Sequence, residues 1–353
     1  MNSERTPETI WGNAHDASPD PVIGAIGAAL RKIGAAHQPD RTALRDLPEL
    51  VVSDPEPASE ARAIEKPIKP VMRQINEDDI PELINLIING FDPTHSREFW
   101  NHFFSCLGRR SAPAAFPRYG YVLVHDSRLV GVVILIYSTI WNDGVAKIRC
   151  NGSTAYTDPD FRCYAPLLYL RPHKDKNVTT LNITAIPHTH KMIEALGYKK
   201  YNSGLFATIP LLSRSPKEAS VRIVDAHVEP DAIFDTRERE LLLEHAEFGC
   251  TSIWCIADGR AYPFVFRPRK VKTFLPAVQL VYCRDINDFA RFAKPIGLYF
   301  AKRFCFIALL HYQNPIPGLF GAYYGKKAPL YFRGPDPPRL GDLAYTETSM
   351  FGF

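Results

Sequence analysis

A mixed α/β fold (α+β, with a mixed sheet), built as two successive units behind a disordered N-terminal tail, is what this sequence predicts, on three observations. Prolines recur from Pro7 through Pro70 among Ala, Glu and Asp with few aromatics, a composition that cannot bury a core. After Pro70 the texture changes to short β-branched runs separated by stretches of helical apolar spacing. The order helix, hairpin, strand, helix, strand then occurs twice, although no residue-level repeat accompanies it.

Each element has a local reason. Within the tail, Val22 to Ile33 has helical apolar spacing weakened by two glycines and reads as a transient helix in a tether. Past Pro70, Arg73 to Ile75 reads as a strand. Ile80, Leu83, Ile84 and Ile87 then share one helical face behind an acidic first turn. Tyr121 to Ile136 holds two apolar runs around Asp126-Ser127-Arg128, which is a hairpin. Lys147 to Thr157 reads as a strand, Asp158-Pro159-Asp160 as a turn, and Tyr164 to Leu170 as a helix start. Val178 to Thr184 is another β-rich run, Lys191 to Leu196 is helical, Gly197 stops it, and Leu205 to Ile209 closes the unit. Ser213 to Glu218 is polar and contains a proline, as a linker does.

The second unit repeats the order with a helix at Glu238 to His245 and strands at Thr251–Ile256 and Tyr262–Phe266 around Asp258-Gly259. A strand at Val278–Cys283, a helix over Asn287–Lys302 and a buried strand at Phe304–Leu310 follow. The predicted organisation is therefore a tail or linker over 1–70, a first α/β domain over 71–212 and a second over 219–353.

Composition narrows the function classes. Hydrophobic residues are 46% and charged residues 23%, the balance of a globular protein, and the net charge of +4 suits a phosphorylated ligand without reaching a nucleic-acid-binding signature. Seven cysteines without a CxxC pair read as reduced thiols. The start Met1-Asn2-Ser3-Glu4-Arg5 lacks a secretory pattern and no apolar run approaches the roughly 20 residues that span a bilayer, so a cytoplasmic protein without membrane or nucleic-acid partners is expected. No Walker loop, HExxH, EF-hand or GxSxG element occurs and the histidines and cysteines lack zinc spacing, so no metal is expected.

One loop carries chemistry. A pyrophosphate is held economically by a tight loop whose amides face it where a helix begins. Asp158 to Leu168 fits: Arg162 supplies a cation, Pro166 suits a first helical turn, and the strand ending at Tyr156 delivers the loop to the carboxyl edge of a sheet.

In this loop and its flanking elements, residues 72–212 resemble the GNAT superfamily of acyl-coenzyme A N-acyltransferases, and the C-terminal half resembles it more faintly in a tandem arrangement. The family loop reads Arg or Gln, two residues, Gly, one residue, then Gly or Ala; Arg162 matches the first position, Ala165 stands at the first glycine, and Leu167 departs from the second. Met192 to Tyr198 resembles the family helix that ends in a Leu-Gly-aromatic turn, with Ile193 where members often carry a tyrosine that protonates the departing thiolate. The resemblance implies acetyl-coenzyme A or another acyl-coenzyme A as co-substrate, bound by Thr157, Arg162, Cys163, Tyr164, Ala165 and Pro166.

With that tyrosine absent, the catalytic candidates are His188, His190 and Tyr156, with Tyr164 a further acid. An imidazole beside the cofactor strand titrates near neutral pH, although helix capping or a solvated turn accounts for the histidines more simply. The expected activity is transfer of an acetyl or other small acyl group to an amine or hydroxyl on a small-molecule or peptide acceptor. The alternatives are a non-catalytic scaffold that binds a ligand or docks a partner, and an aminoacyl transferase. The single basic run Arg267 to Lys272, which reads as a solvated hairpin face, is too narrow for the last. The acceptor, acyl length and oligomeric state are not written in the sequence.

Overall fold

The computed structural model describes residues 69–352, apart from 143, 215–218, 228–231 and 272–273. Nearly all of the tail, with the helix expected at Val22–Ile33, and much of the Ser213–Glu218 linker lie outside the described residues. The chain is mixed α/β.

Among the described residues one sheet of twelve strands runs through the molecule in the order β1-β2-β3-β4-β5-β12-β6-β11-β10-β9-β8-β7. The first half supplies β1 (Val71–Gln74), β2 (Gly120–His125), β3 (Arg128–Asn142), β4 (Val145–Thr157), β5 (Thr179–Asn182) and β6 (Lys199–Thr208). The second supplies β7 (Ser220–Ile223), β8 (Thr251–Ala257), β9 (Arg260–Val271), β10 (Leu275–Cys283), β11 (Ile307–Leu310) and β12 (Gly321–Arg333). The helices are α1 (Ile80–Gly90), α2 (Arg97–Arg109), α3 (Ala165–Leu170), α4 (His190–Ala195), α5 (Thr236–Glu247), α6 (Ile286–Ala301) and α7 (Glu347–Phe351).

When β7 is matched to β1, and so on to β12 with β6, the strand order reads the same from either edge. Each half contributes its last strand to the other: β12 lies between β5 and β6, and β6 lies between β12 and β11, all antiparallel. The exchange needs close backbones. A Cβ on Gly321 would lie 2.2 Å from the Ala207 carbonyl oxygen, so only glycine fits where β12 enters beside β6.

Alternating residues send two cores to opposite faces of each half. Val122, Val132, Ile134 and Ile136 meet α1, α2 and α7, while Tyr121, Leu123, Val133, Leu135 and Tyr137 meet Leu168 of α3. In the second half Phe264 and Phe266 pack on Phe289, Phe292 and Ile296 of α6, and Val265 faces Leu242 of α5. The hairpin turns form where the sequence puts them, with Asp126 and Ser127 at φ 46° and 61° and Asp258-Gly259 at 50° and 69°.

After β12 the chain turns back over the sheet. Gly341 and Leu343 hydrogen-bond to β10 at Cys283 and Val281 (2.9 and 2.7 Å), Tyr345 reaches α5, and α7 seats Met350 and Phe351 among α1 and α2. Two arginines of the basic run are spent largely on this segment, whereas Lys270 stays exposed. Arg267 donates to the carbonyls of Phe248, Ser349 and Met350, and Arg269 to Gly352 and to Gln279.

Candidate active site

β4 and β5 run parallel for three residue pairs, ending at Asn151 and Leu181. Beyond them the two strands do not pair with each other among the described residues, β4 running on to Thr157 and the chain after β5 through Ile183 and Thr184, and a wedge opens. At its mouth β4 bulges. Gly152 pairs with Leu135 and Ala155 with Val133, so Ser153 and Thr154 together oppose Ile134. A bulge takes backbone groups out of the ladder, and this one sits on β4 where the parallel pairing ends.

A carboxyl closes the far side. Glu347 accepts from the Thr184 hydroxyl, and Ser153 and Asn151 lie beside it. It is 2% exposed, and burial pushes its carboxyl up to about 7 against those polar neighbours. Thr184 is itself exposed, so one hydroxyl separates the acid from water. A carboxyl half-ionised near neutral pH beside loosened backbone amides can take a proton from a nucleophile and return it.

The support for Glu347 is layered. Thr346 caps α7 reciprocally with Ser349, the Cys250 thiol donates to the Ser349 carbonyl at 3.1 Å, and the Phe351 ring lies 3.8 Å from that of Phe103. Upstream, Arg149 is 2% exposed and grips Asp342 (3.1 Å) and the Ala344 carbonyl (2.5 Å). Burial pushes the Asp342 carboxyl up, but Arg149 and Arg339 beside it outweigh burial and hold it below the usual range. His245 donates from Nδ1 to the Leu241 carbonyl and accepts the Tyr345 amide at Nε2; burial lowers it to about 4 and keeps it neutral for that role.

The residues expected from the sequence belong to the segments that end β4 and follow β5. Thr157 ends β4, and Pro159–Tyr164 then forms a 3-10 helix that leads into α3 at Ala165 and Pro166. Two of the loop's amides already donate to loop carbonyls, Phe161 to Asp158 and Ala165 to Arg162, so the loop is less of an open amide cradle than its sequence suggests. Arg162 and Cys163 are exposed there, and Tyr164 is half-buried. Tyr156 covers Gly90 at the end of α1, where a Cβ would meet its ring, and burial raises its phenol, helped by Asp158.

Of the histidines, His190 opens α4 and donates from Nε2 to the Ala185 carbonyl at 3.1 Å, one residue from Thr184. His188 lies in the 3-10 turn Pro187–Thr189. Thus His190 and Glu347 both reach the chain end of β5, whereas Tyr156 and Arg162 to Pro166 belong to the β4 side. Glu347 and the bulge were not found from the sequence. A glutamate at the start of a short helix is an ordinary N-terminal residue, and with Thr348 and Ser349 following it the sequence carries no signal that it is buried.

The second half treats its own wedge differently. β10 and β11 run parallel to Gln279 and Leu309, and the edge of β10 beyond them is paired with Gly341 to Leu343 of the same chain. Of the two matching openings, this one is filled from within.

No family model matches the chain, and no curated protein matches it. Among solved structures it is similar to a GCN5-related N-acetyltransferase from Anabaena variabilis, with a TM-score of 0.48, 9% identity, and 75% of this chain and 72% of that one covered. It is similar also to a GCN5-related N-acetyltransferase from Kribbella flavida, with TM-score 0.46, 12% identity, and coverage of 75% and 71%. A third is the Saccharomyces cerevisiae N-myristoyltransferase with bound myristoyl-CoA, with TM-score 0.38, 12% identity, and coverage of 85% and 94%. At these scores the likenesses are to the fold and carry nothing about activity. No helix among the described residues is long and apolar enough to cross a membrane, and no group of three or more His, Cys, Asp or Glu among them is placed to hold a metal ion.

Proposed function

We propose that this chain transfers an acyl group, acetyl or another small one, from an acyl-coenzyme A to an amine or hydroxyl acceptor at the β4–β5 wedge, and that the two halves are tandem copies of one acyltransferase-like unit of which the first is active. The observation that carries the reading is the opening of a parallel strand pair beside a β-bulge and a buried carboxyl. The thioester carbonyl lies against the bulge, whose freed amides favour the oxyanion. Glu347 in its ionised form takes the proton of the attacking nucleophile, and the proton passes to the thiolate as the tetrahedral intermediate collapses, from Glu347 directly or through His190 or Tyr156. Arg162 holds a phosphate of the cofactor, with Thr157 and Cys163 to Pro166 lining the approach. The second half, its wedge filled by Gly341 to Leu343, acts as support.

Calorimetric titration of acetyl-coenzyme A tests this. We expect saturable binding, weakened about tenfold in Arg162→Ala, since a charge-assisted phosphate contact is worth about 1.5–3 kcal/mol. Glu347→Gln is expected to bind normally and to lose roughly 10²- to 10⁴-fold in thiol release with an acceptor amine, the usual contribution of a general base. Absence of binding by the folded wild type overturns the reading in favour of a non-catalytic scaffold.

A further inference from the structure

A cleft of about 800 Å³ lies between the end of the β3–β4 hairpin and α5, and the returning C-terminal segment forms its third wall. That volume is in the range of small-molecule sites. Its lining carries six carboxylates, Asp235, Glu238, Glu240, Glu244, Glu247 and Asp342, against three arginines. Each arginine is committed. Arg284 pairs with Glu238 at 2.5 Å, Arg339 reaches Asp342 at 3.6 Å beside Arg149, and the Arg237 guanidinium lies over the Trp141 ring at 3.6 Å. Glu244 accepts from the Ser111 amide and the Tyr345 hydroxyl, and Asp235 caps α5. Glu240 and Glu247 are exposed and have no partner among the described residues.

An independent feature sits on the hairpin wall. Ser138 is 2% exposed, lines the cleft, and its hydroxyl has no hydrogen-bond partner among the described residues. A buried hydroxyl left unpaired costs about 1–3 kcal/mol, a penalty that a polar ligand group removes. Trp141 and Tyr345 add flat apolar faces suited to the methylene stems of an alkylamine. Walls of surplus carboxylate concentrate cations.

We propose that this cleft binds a cationic alkylamine through Glu240, Glu247 and Ser138. Resting on the transferase reading, we assign that amine as the acceptor. The Tyr345 wall is two residues from Glu347, a chain distance of at most about 7 Å between their Cα atoms.

Spermidine serves as the probe, titrated into the full chain by calorimetry without acyl-coenzyme A. The expected result is saturable one-to-one binding that weakens with salt, drops at least tenfold in the E240Q/E247Q double variant, and falls several-fold in Ser138→Ala. Both glutamates are exposed, so the double variant keeps its fold, which circular dichroism checks. No spermidine binding, or equal binding by the double variant, overturns the proposal. If acetyl-coenzyme A still binds in that case, only the cleft assignment falls. If spermidine binds and acetyl-coenzyme A does not, the transferase reading falls and the cleft stands as an amine site alone.

Discussion

Glu347 sets the behaviour of the wedge through one proton. Its carboxyl is pushed from the ordinary 4.5 up to about 7, so the folded protein holds that proton more tightly than the unfolded chain does. The stabilisation is fully present below about 4.5 and is lost as pH rises through about 7, a change on the order of 3 kcal/mol. Glu347→Gln is expected to remove this slope, so that denaturant midpoints at pH 5 and pH 8 converge relative to the wild type; an unchanged slope would place the titration elsewhere. His245 works in the opposite sense, since its folded value of about 4 lies below 6.5 and its contribution is lost as pH falls through that window. Catalysis should follow the carboxylate, with turnover rising from pH 6 to 8 around an apparent value near 7, a profile that Glu347→Gln flattens. Breaking the buried Arg149–Asp342 pair is a separate matter: Arg149→Met leaves the buried carboxylate with the more distant Arg339 alone and is expected to cost about 3 kcal/mol in denaturation. None of this was legible residue by residue. Arg149 reads as one more strand residue and Glu347 as one more helix start, because what joins them to their partners is 193 residues of chain in one case and 163 in the other.

The elements themselves were far more visible, because their signals are local. Gly197 stops α4 with φ 85°, Asp258-Gly259 turns β8 into β9, and the apolar periodicity of α1 and α6 matches the faces they bury. α2 escaped notice although Ser96 caps it through the Phe99 amide and its Trp100, Phe103 and Phe104 are all buried. A run of aromatics at helical spacing is easily taken for β-rich sequence. The tight loop expected at Asp158 to Leu168 is present, but its sequence says where the chain turns and not which amides the 3-10 turn at Pro159–Tyr164 consumes. α6 offers the sharpest test at this scale. A Cβ on Gly297 would lie 2.3 Å from the Leu211 amide nitrogen and 2.8 Å from the Pro210 carbonyl carbon, both backbone atoms that cannot step aside. Although alanine is the better helix former, Gly297→Ala is expected to destabilise the protein by about 1–3 kcal/mol through overpacking. A stabilised variant would show that α6 can ride away from the Pro210–Leu212 turn.

At the scale of the whole molecule, the doubled order of elements was readable and the exchange of closing strands was not. β6 and β12 each look like the last strand of their own half, and pairing preference on a half-buried strand does not say which neighbour it will choose. The exchange makes the halves interdependent: without β12, β5 and β6 lose the strand between them, and without β6, β11 and β12 do. A chain ending at Arg214 is therefore expected to be insoluble or unfolded when expressed alone. The full chain is expected to show coincident unfolding by far-ultraviolet circular dichroism and tryptophan fluorescence, since Trp100 lies in one half and Trp254 in the other. Two separated transitions would contradict the interdependence.

The same exchange dictates a timetable for synthesis. Thr208 at the end of β6 waits for Phe320, 112 residues later, before it gains its neighbour on the β12 side. At ordinary ribosomal speeds that interval is roughly 6 to 20 s. Throughout it the nascent first half presents bare strand edges at β5 and β6, the kind of surface that invites pairing with another chain. The Glu347 pocket waits longer still, since Thr184 and Glu347 are 163 residues apart, so the acid arrives after the strands around it have been made.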